Sequence, residues 1–191
     1  HNPAEARKLL SAAGYCNGRP LTLSLTFRSN VPADKLLALT WQAQLKRDLP
    51  DCIVLNLDGV ESTTIYRQLG EGAFKAVMLD WRGRYPDPEA YLTPLLSCSV
   101  SNGEVCSDGE AAISGSFWST PGMQEALERS DVLRGPARDQ ALQRIETLTA
   151  QGAAYIPVWL VAPRAWSQPS MALPQFDGSG HLLLSKLRRK T

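Results

Sequence analysis

The sequence predicts an α/β fold with a mostly parallel sheet and helices on both of its faces. Two observations predict this fold. Segments with the two-residue period of strands alternate with segments of helical period over the first eighty residues. Each predicted strand is also followed by a helix or a shaped loop, which is the connection that parallel strands require.

The first half reads as three helix–strand pairs. Asn2 is a predicted helix N-cap with Pro3 in the first turn, and that helix ends near Gly14. Residues 21–27 alternate strictly between apolar and polar types, which indicates a strand. A helix then begins at Pro32 with an apolar stripe. The remaining predicted elements are a strand at 52–60, a short helix capped by Ser62, and a strand at 73–81.

The second half is less regular. Residues 97–120 are rich in Ser, Gly, Asn and Asp and are predicted to be a long loop. Helices are predicted to follow Thr120-Pro121 and Gly135-Pro136. Residues 155–161 are predicted as a fourth strand, at an edge or bulge because of Pro157. We therefore predict an α/β lobe over residues 1–160 and an irregular tail over residues 161–191.

Composition and motifs favour binding over catalysis. The 191 residues are 43% apolar and carry a net charge of +1, which does not indicate a nucleic-acid partner. No nucleotide-binding, zinc-protease or serine-hydrolase motif occurs, and the two histidines stand near opposite chain ends. We therefore predict no enzyme activity, no cofactor and no metal site.

The four cysteines predict disulfides and hence an oxidising compartment outside the cytoplasm. Cys98 and Cys106 flank a short polar loop that a disulfide could close. Cys16 and Cys52 each precede a predicted strand. If those strands are parallel neighbours, both cysteines lie at the same edge of the sheet.

The loop at residues 80–88 is the candidate site, because ligands of parallel α/β sheets bind beyond the carboxyl ends of strands. Its sequence, DWRGRYPDP, combines aromatic and charged side chains with two prolines that restrict its shape. Trp81, Arg84, Tyr85 and Asp87 are the predicted ligand-binding residues. For Arg84 an ion pair with Asp80 or Asp87 is the alternative to ligand contact, and Asp87 is also expected to cap the following helix.

The chain resembles the extracytoplasmic solute-binding proteins of peptide, dipeptide and nickel ABC transporters, family 5. The pattern P-x-x-A-x-x-L-L-x-x-A-G-Y at its start is typical of their C-terminal lobe. The resemblance continues along the chain through residues of the later elements: Tyr66, Gly72, Phe74, Trp81, Tyr85, Pro86, Asp87, Pro88, Arg138 and the Ile-Pro segment at 156–157.

This resemblance implies a periplasmic-binding-protein-like lobe, and a substrate-binding component that closes two such lobes around a peptide or a related small solute. The expected partners are the solute, ABC permease subunits and the protein's own N-terminal lobe. The expected location is periplasmic or otherwise extracytoplasmic, with a lipid anchor as one possibility. In peptide-binding members, an aspartate three residues after the loop tryptophan pairs with the peptide α-amino group. Arg84 stands at that position, and an arginine favours carboxylate or phosphate instead.

Three alternatives remain open at the level of sequence. One is a family member for a non-peptide ligand, such as an anionic metabolite or a metal chelate, which Arg84 motivates. A second is a flavodoxin-like enzyme that uses Asp58, Asp80 and Asp87. The third is a stand-alone interaction lobe without a small ligand.

Overall fold

The structure, a computed structural model, describes residues 1–190, so Thr191 at the end of the predicted tail lies outside it. The chain forms two compact units, His1–Asp80 and a second that begins at Trp81. The α-helices and strands of the first unit are α1 (Pro3–Ala12), β1 (Leu21–Arg28), α2 (Pro32–Asp48), β2 (Ile53–Val60), α3 (Ser62–Gln68) and β3 (Ala76–Val77), and a 3-10 turn at Leu69–Glu71 follows α3.

A three-stranded parallel sheet organises the first unit and confirms the predicted fold class. The strand order is β2-β1-β3. Leu21 pairs with Ile53 at one end of the β1–β2 ladder and Arg28 pairs with Val60 at the other. β3 is shorter than predicted and pairs with β1 at only two positions. It is an edge strand with one neighbour in the sheet, so little of its backbone is held in the ladder.

The helices of the first unit begin where the sequence predicts, apart from one cap. Asn2 Oδ1 accepts the Glu5 N–H at 3.1 Å, and Pro32 occupies the first turn of α2. The prediction that Ser62 caps α3 is wrong. Glu61 caps it instead, because its carboxylate accepts the N–H groups of Thr63 and Thr64.

Two apolar clusters hold the first unit together. α2 packs Ala38 and Trp41 against Leu25, Phe27 and Leu55 of the sheet. The second cluster surrounds the Cys16–Cys52 disulfide, which joins the turn after α1 to the residue before β2. The presence of disulfides, predicted from the cysteine count, is therefore confirmed.

The second unit is mostly helical and has one hairpin. Its elements are α4 (Glu89–Leu96), β4 (Val100–Asn102), β5 (Val105–Asp108), α5 (Glu110–Ile113), α6 (Met123–Val132) and α7 (Gly135–Gly152). Its main core lies among α4, α6 and α7 and includes Leu96, Leu127 and Ile145. Beyond α7 the structure contains two isolated β-bridges, Met171–Arg189 and Phe176–Leu182, and a 3-10 turn.

The prediction of a long loop at residues 97–120 is wrong. This segment forms the antiparallel β4–β5 hairpin and the short helix α5. A disulfide between Cys98 and Cys106 ties the hairpin to the chain that enters it. Composition misled the prediction, because a short hairpin closed by a disulfide does not need an apolar strand pattern.

The prediction of a strand at residues 155–161 is also wrong. A strand must exchange backbone hydrogen bonds with a neighbouring segment, and no segment of residues 1–190 pairs with this one as a strand. Pro157 removes one donor as well. Tyr155 packs against the core of the second unit, whereas the apolar side chains from Ile156 to Val161 are exposed, Leu160 at 98%.

No helix within residues 1–190 is long and apolar enough to cross a membrane.

Candidate functional site

A charged cluster with two buried members, Arg28 and Asp34, occupies the carboxyl end of β1 in the first unit. Arg28, the last residue of β1, is only 8% exposed. Its Nε and Nη2 donate to the carboxylate of Asp34, on the first turn of α2, at 2.7 and 3.0 Å. Its Nη1 donates to Asp80, the residue that ends the first unit, and to the Tyr66 hydroxyl at 3.3 Å.

This cluster fixes the residue that leads into the candidate loop. Hydrogen bonds from Arg28 to Asp34, and the charge of Asp80, raise the pKa of the guanidinium above its already high usual value. Arg28 therefore keeps its charge in any aqueous condition compatible with folding. Asp80 is held in place by a side chain that is itself rigid and buried.

The sequence reasoning missed Arg28. The available signal was an arginine that continues an alternating apolar strand, at the edge where the sheet's loops begin.

The loop from Trp81 to Pro88 is fastened to the second unit along its length. The Trp81 indole N–H donates to the Ala90 carbonyl at 2.9 Å. Gly83 is buried, and a Cβ at this position would lie 2.5 Å from the Tyr91 ring, so only glycine allows this approach. The loop is thus anchored to α4 at its start.

Asp87 anchors the other end of the loop. Both of its carboxylate oxygens accept hydrogen bonds from the Arg138 guanidinium on α7, at 2.8 and 2.7 Å. Its Oδ1 also accepts the N–H of Glu89 in the first turn of α4, at 2.9 Å. The Arg138 hydrogen bonds, supported by the Glu89 N–H, lower the pKa of Asp87 below its usual range.

Arg84 and Tyr85 lie between these anchors and are exposed. Tyr85 donates its hydroxyl to the Glu89 carboxylate. Of the two acids considered as ion-pair partners of Arg84, Asp80 is engaged by Arg28 and Asp87 by Arg138. Within residues 1–190, Arg84 forms no salt bridge and its side chain donates no hydrogen bond. Arg82 is likewise exposed and without a carboxylate partner in this part of the chain.

Of the three aspartates in the enzyme alternative, two are paired with arginines and the third is exposed. Asp80 and Asp87 are each neutralised by an arginine, and Asp58 is an exposed residue of β2. Among residues 1–190, no group of three or more His, Cys, Asp or Glu side chains is arranged to hold a metal ion.

Two shallow surface cavities lie away from the loop. One, of about 160 Å³, lies between α1 and α2, and the other, of about 360 Å³, lies between α6 and α7. Neither cavity is lined by a residue of the loop from Trp81 to Pro88.

The comparisons with known proteins concern one family. The model of the bacterial extracellular solute-binding proteins, family 5 Middle, matches residues 1–103, which is more than half of the chain. The chain is 31% identical over 98 residues to the periplasmic oligopeptide-binding protein OppA of Salmonella typhimurium. It is also 31% identical over 102 residues to the periplasmic murein peptide-binding protein MppA of Escherichia coli.

Those alignments cover 51% and 52% of this chain but only 18% of each relative. Among solved structures, the dipeptide-binding protein of Pseudoalteromonas sp. SM9913 in complex with Met-Leu superimposes with a TM-score of 0.75. It is 23% identical, and the match covers 98% of this chain and 36% of that one. At this identity the likeness shows the fold.

Proposed function

Because this chain belongs to the family 5 bacterial extracellular solute-binding proteins, we propose that it is a ligand-binding part of the substrate-binding component of an ABC transporter. Its ligand is a peptide or a related small solute. Two relatives that are oligopeptide- and murein peptide-binding proteins support this choice.

One observation carries the proposal: a loop that is rigidly held and yet presents aromatic side chains to solvent. Trp81 and Tyr85 are each 45% exposed although their polar atoms are bonded to α4. A surface that is ordered before binding loses less conformational entropy when a ligand arrives. Asp87 has both of its oxygens engaged, so its part in the site is to hold the loop.

The mechanism is closure of two lobes around the solute, followed by docking of the closed form to permease subunits. We place the protein outside the cytoplasm, where its two disulfides persist. Binding and release require no chemical step, so we assign no enzymatic role.

Exposed apolar side chains of the tail favour the presence of a second lobe in the full-length protein. Apolar side chains in and after the segment at 155–161 are exposed, among them Ile156 at 67% and Trp166 at 87%. We propose that residues 161–191 return to an N-terminal lobe that buries such side chains in the full-length protein. Burial of apolar area of this kind is a main source of stability.

The test is peptide binding by the full-length protein that carries this chain, measured by calorimetry with Met-Leu and longer peptides. Trp81→Ala is expected to weaken binding by about tenfold or more, since a truncated aromatic contact commonly costs 1–2 kcal/mol or more. The control is Val132→Ala, an exposed apolar residue of α6 in the same unit, which should leave the affinity unchanged. Equal affinities for the wild type and Trp81→Ala would remove the loop from the site, and absence of any peptide binding would overturn the function.

A further inference from the structure

We propose that Arg84, assisted by Arg82, binds an anionic group of the ligand, a carboxylate or a phosphate. This inference rests on the proposed function, since it concerns the solute bound by the same loop.

The acidic and the basic side chains of the loop differ in whether they have ion-pair partners. Asp80 is paired with Arg28 and Asp87 with Arg138, whereas Glu89 accepts a hydrogen bond from the neutral Tyr85 hydroxyl and keeps its charge. In the part of the chain that the structure describes, neither Arg82 nor Arg84 has an acidic partner. The loop therefore presents two guanidinium groups whose charge its own acids do not offset through ion pairs.

The backbone that carries these guanidinium groups is fixed. The Trp81–Ala90 hydrogen bond and the close approach of Gly83 to Tyr91 hold it on one side, and the two Asp87–Arg138 hydrogen bonds hold it on the other. Two like charges on a fixed loop cannot move far apart, so they maintain a local positive potential that attracts an anion. A free arginine on a mobile loop would not be preorganised in this way.

The chemistry of the neighbouring side chains narrows the ligand class. A guanidinium bonds carboxylate and phosphate oxygens in pairs and has a weakly held hydration shell. The indole N–H of Trp81 and the hydroxyl of Tyr85 are already used, so these residues offer ring faces rather than polar atoms. The arrangement fits an acidic group attached to an apolar or planar body.

The experiment uses the full-length protein and four tripeptide probes in calorimetry. Ala-Gln-Ala amide carries no carboxylate, and its free acid adds the C-terminal one. The amides of Ala-Glu-Ala and Ala-phosphoserine-Ala add a side-chain carboxylate or a phosphate. We expect at least one anionic probe to bind about 10- to 100-fold more tightly than the neutral amide, the range for hydrogen bonds to a charged group. The tightest probe identifies the source of the anion.

The variant Arg84→Gln should abolish the advantage of the anionic probe, whereas Arg84→Lys should keep part of it. Arg129→Gln, an exposed arginine of α6, is the matched control and should leave the advantage unchanged. Raising NaCl from about 0.05 to about 0.5 M should reduce the advantage in the wild type.

Two results would overturn the inference while the proposed function stands. One is binding of the neutral amide with no gain from any anionic group. The other is an equal loss of affinity for all four probes in Arg84→Gln, which would assign Arg84 to a contact within the protein. If none of the four probes binds, the inference fails, and the proposed function fails with it only if Met-Leu and longer peptides also do not bind.

Discussion

At the scale of single residues, Arg28 is a buried side chain that forms salt bridges with two carboxylates. It donates hydrogen bonds to the carboxylate of Asp34, which is 5% exposed, and also to Asp80 and to the Tyr66 hydroxyl. A buried ion pair is not in itself a large source of stability, because both charges lose their hydration. Removing one partner is costly, because the other is left buried without compensation.

We therefore expect Arg28→Met to lower the free energy of unfolding by about 3–5 kcal/mol. Urea unfolding followed by circular dichroism would measure it. Arg7→Met is the control, since Arg7 pairs with Asp51 on the surface with both side chains 42% exposed, and it should cost clearly less. Equal losses in the two variants would show that the Arg28 cluster is not buried in solution.

The Arg7–Asp51 pair predicts a pH dependence. The Arg7 hydrogen bond, at 2.9 Å, is the main cause that lowers the pKa of Asp51 to about 2. A carboxylate with a lowered pKa stabilises the folded state fully above its unfolded pKa, and that contribution is lost as the pH falls through the folded pKa. The stability gap between the wild type and Asp51→Asn should therefore be constant above about pH 4 and should close as the pH approaches about 2.

Urea midpoints measured across this range would check the expectation. Arg7→Gln removes the same pair from the other side and should give the same narrowing. A gap that stays constant down to pH 2 would contradict the assigned cause.

At the scale of elements, the two disulfides close loops of different length. Cys16 and Cys52 are separated by 36 positions, whereas Cys98 and Cys106 are separated by 8. In the chain-entropy description, a longer closed loop restricts the unfolded chain more.

Replacing both cysteines of a pair by alanine should therefore cost about 4 kcal/mol for Cys16–Cys52 and about 2.5 kcal/mol for Cys98–Cys106. Denaturant unfolding of the two double variants would measure the difference. The reverse order would show that native packing around Cys106, which is fully buried, outweighs the entropy of loop closure.

At the scale of the whole molecule, the chain covers 18% of the length of each curated relative it matches. We expect the native product to be much larger than the 20.9 kDa of this chain, because the exposed apolar side chains in and after residues 155–161 require a covering surface. An antibody against this chain and intact-mass measurement from the source would test it. A native product near 20.9 kDa would instead favour the stand-alone interaction lobe.

The sequence by itself determined the features that depend on neighbouring residues. Asn2 and Pro3 start α1 and Pro32 lies in the first turn of α2, because caps and proline act within one turn. The alternating apolar residues of β1 specify a strand. The order of these elements was sufficient to predict the parallel sheet, and the motifs along them were sufficient to indicate the family.

Only the tertiary structure decided which charges meet. Arg28 and Asp80 are 52 positions apart, and Asp87 and Arg138 are 51 apart. No local pattern encodes such pairs, because they depend on how strands and helices pack. The same reason explains the segment at 155–161, whose apolar pattern is typical of a strand. A strand forms only where another segment accepts its hydrogen bonds, and that condition belongs to the packed molecule rather than to the segment.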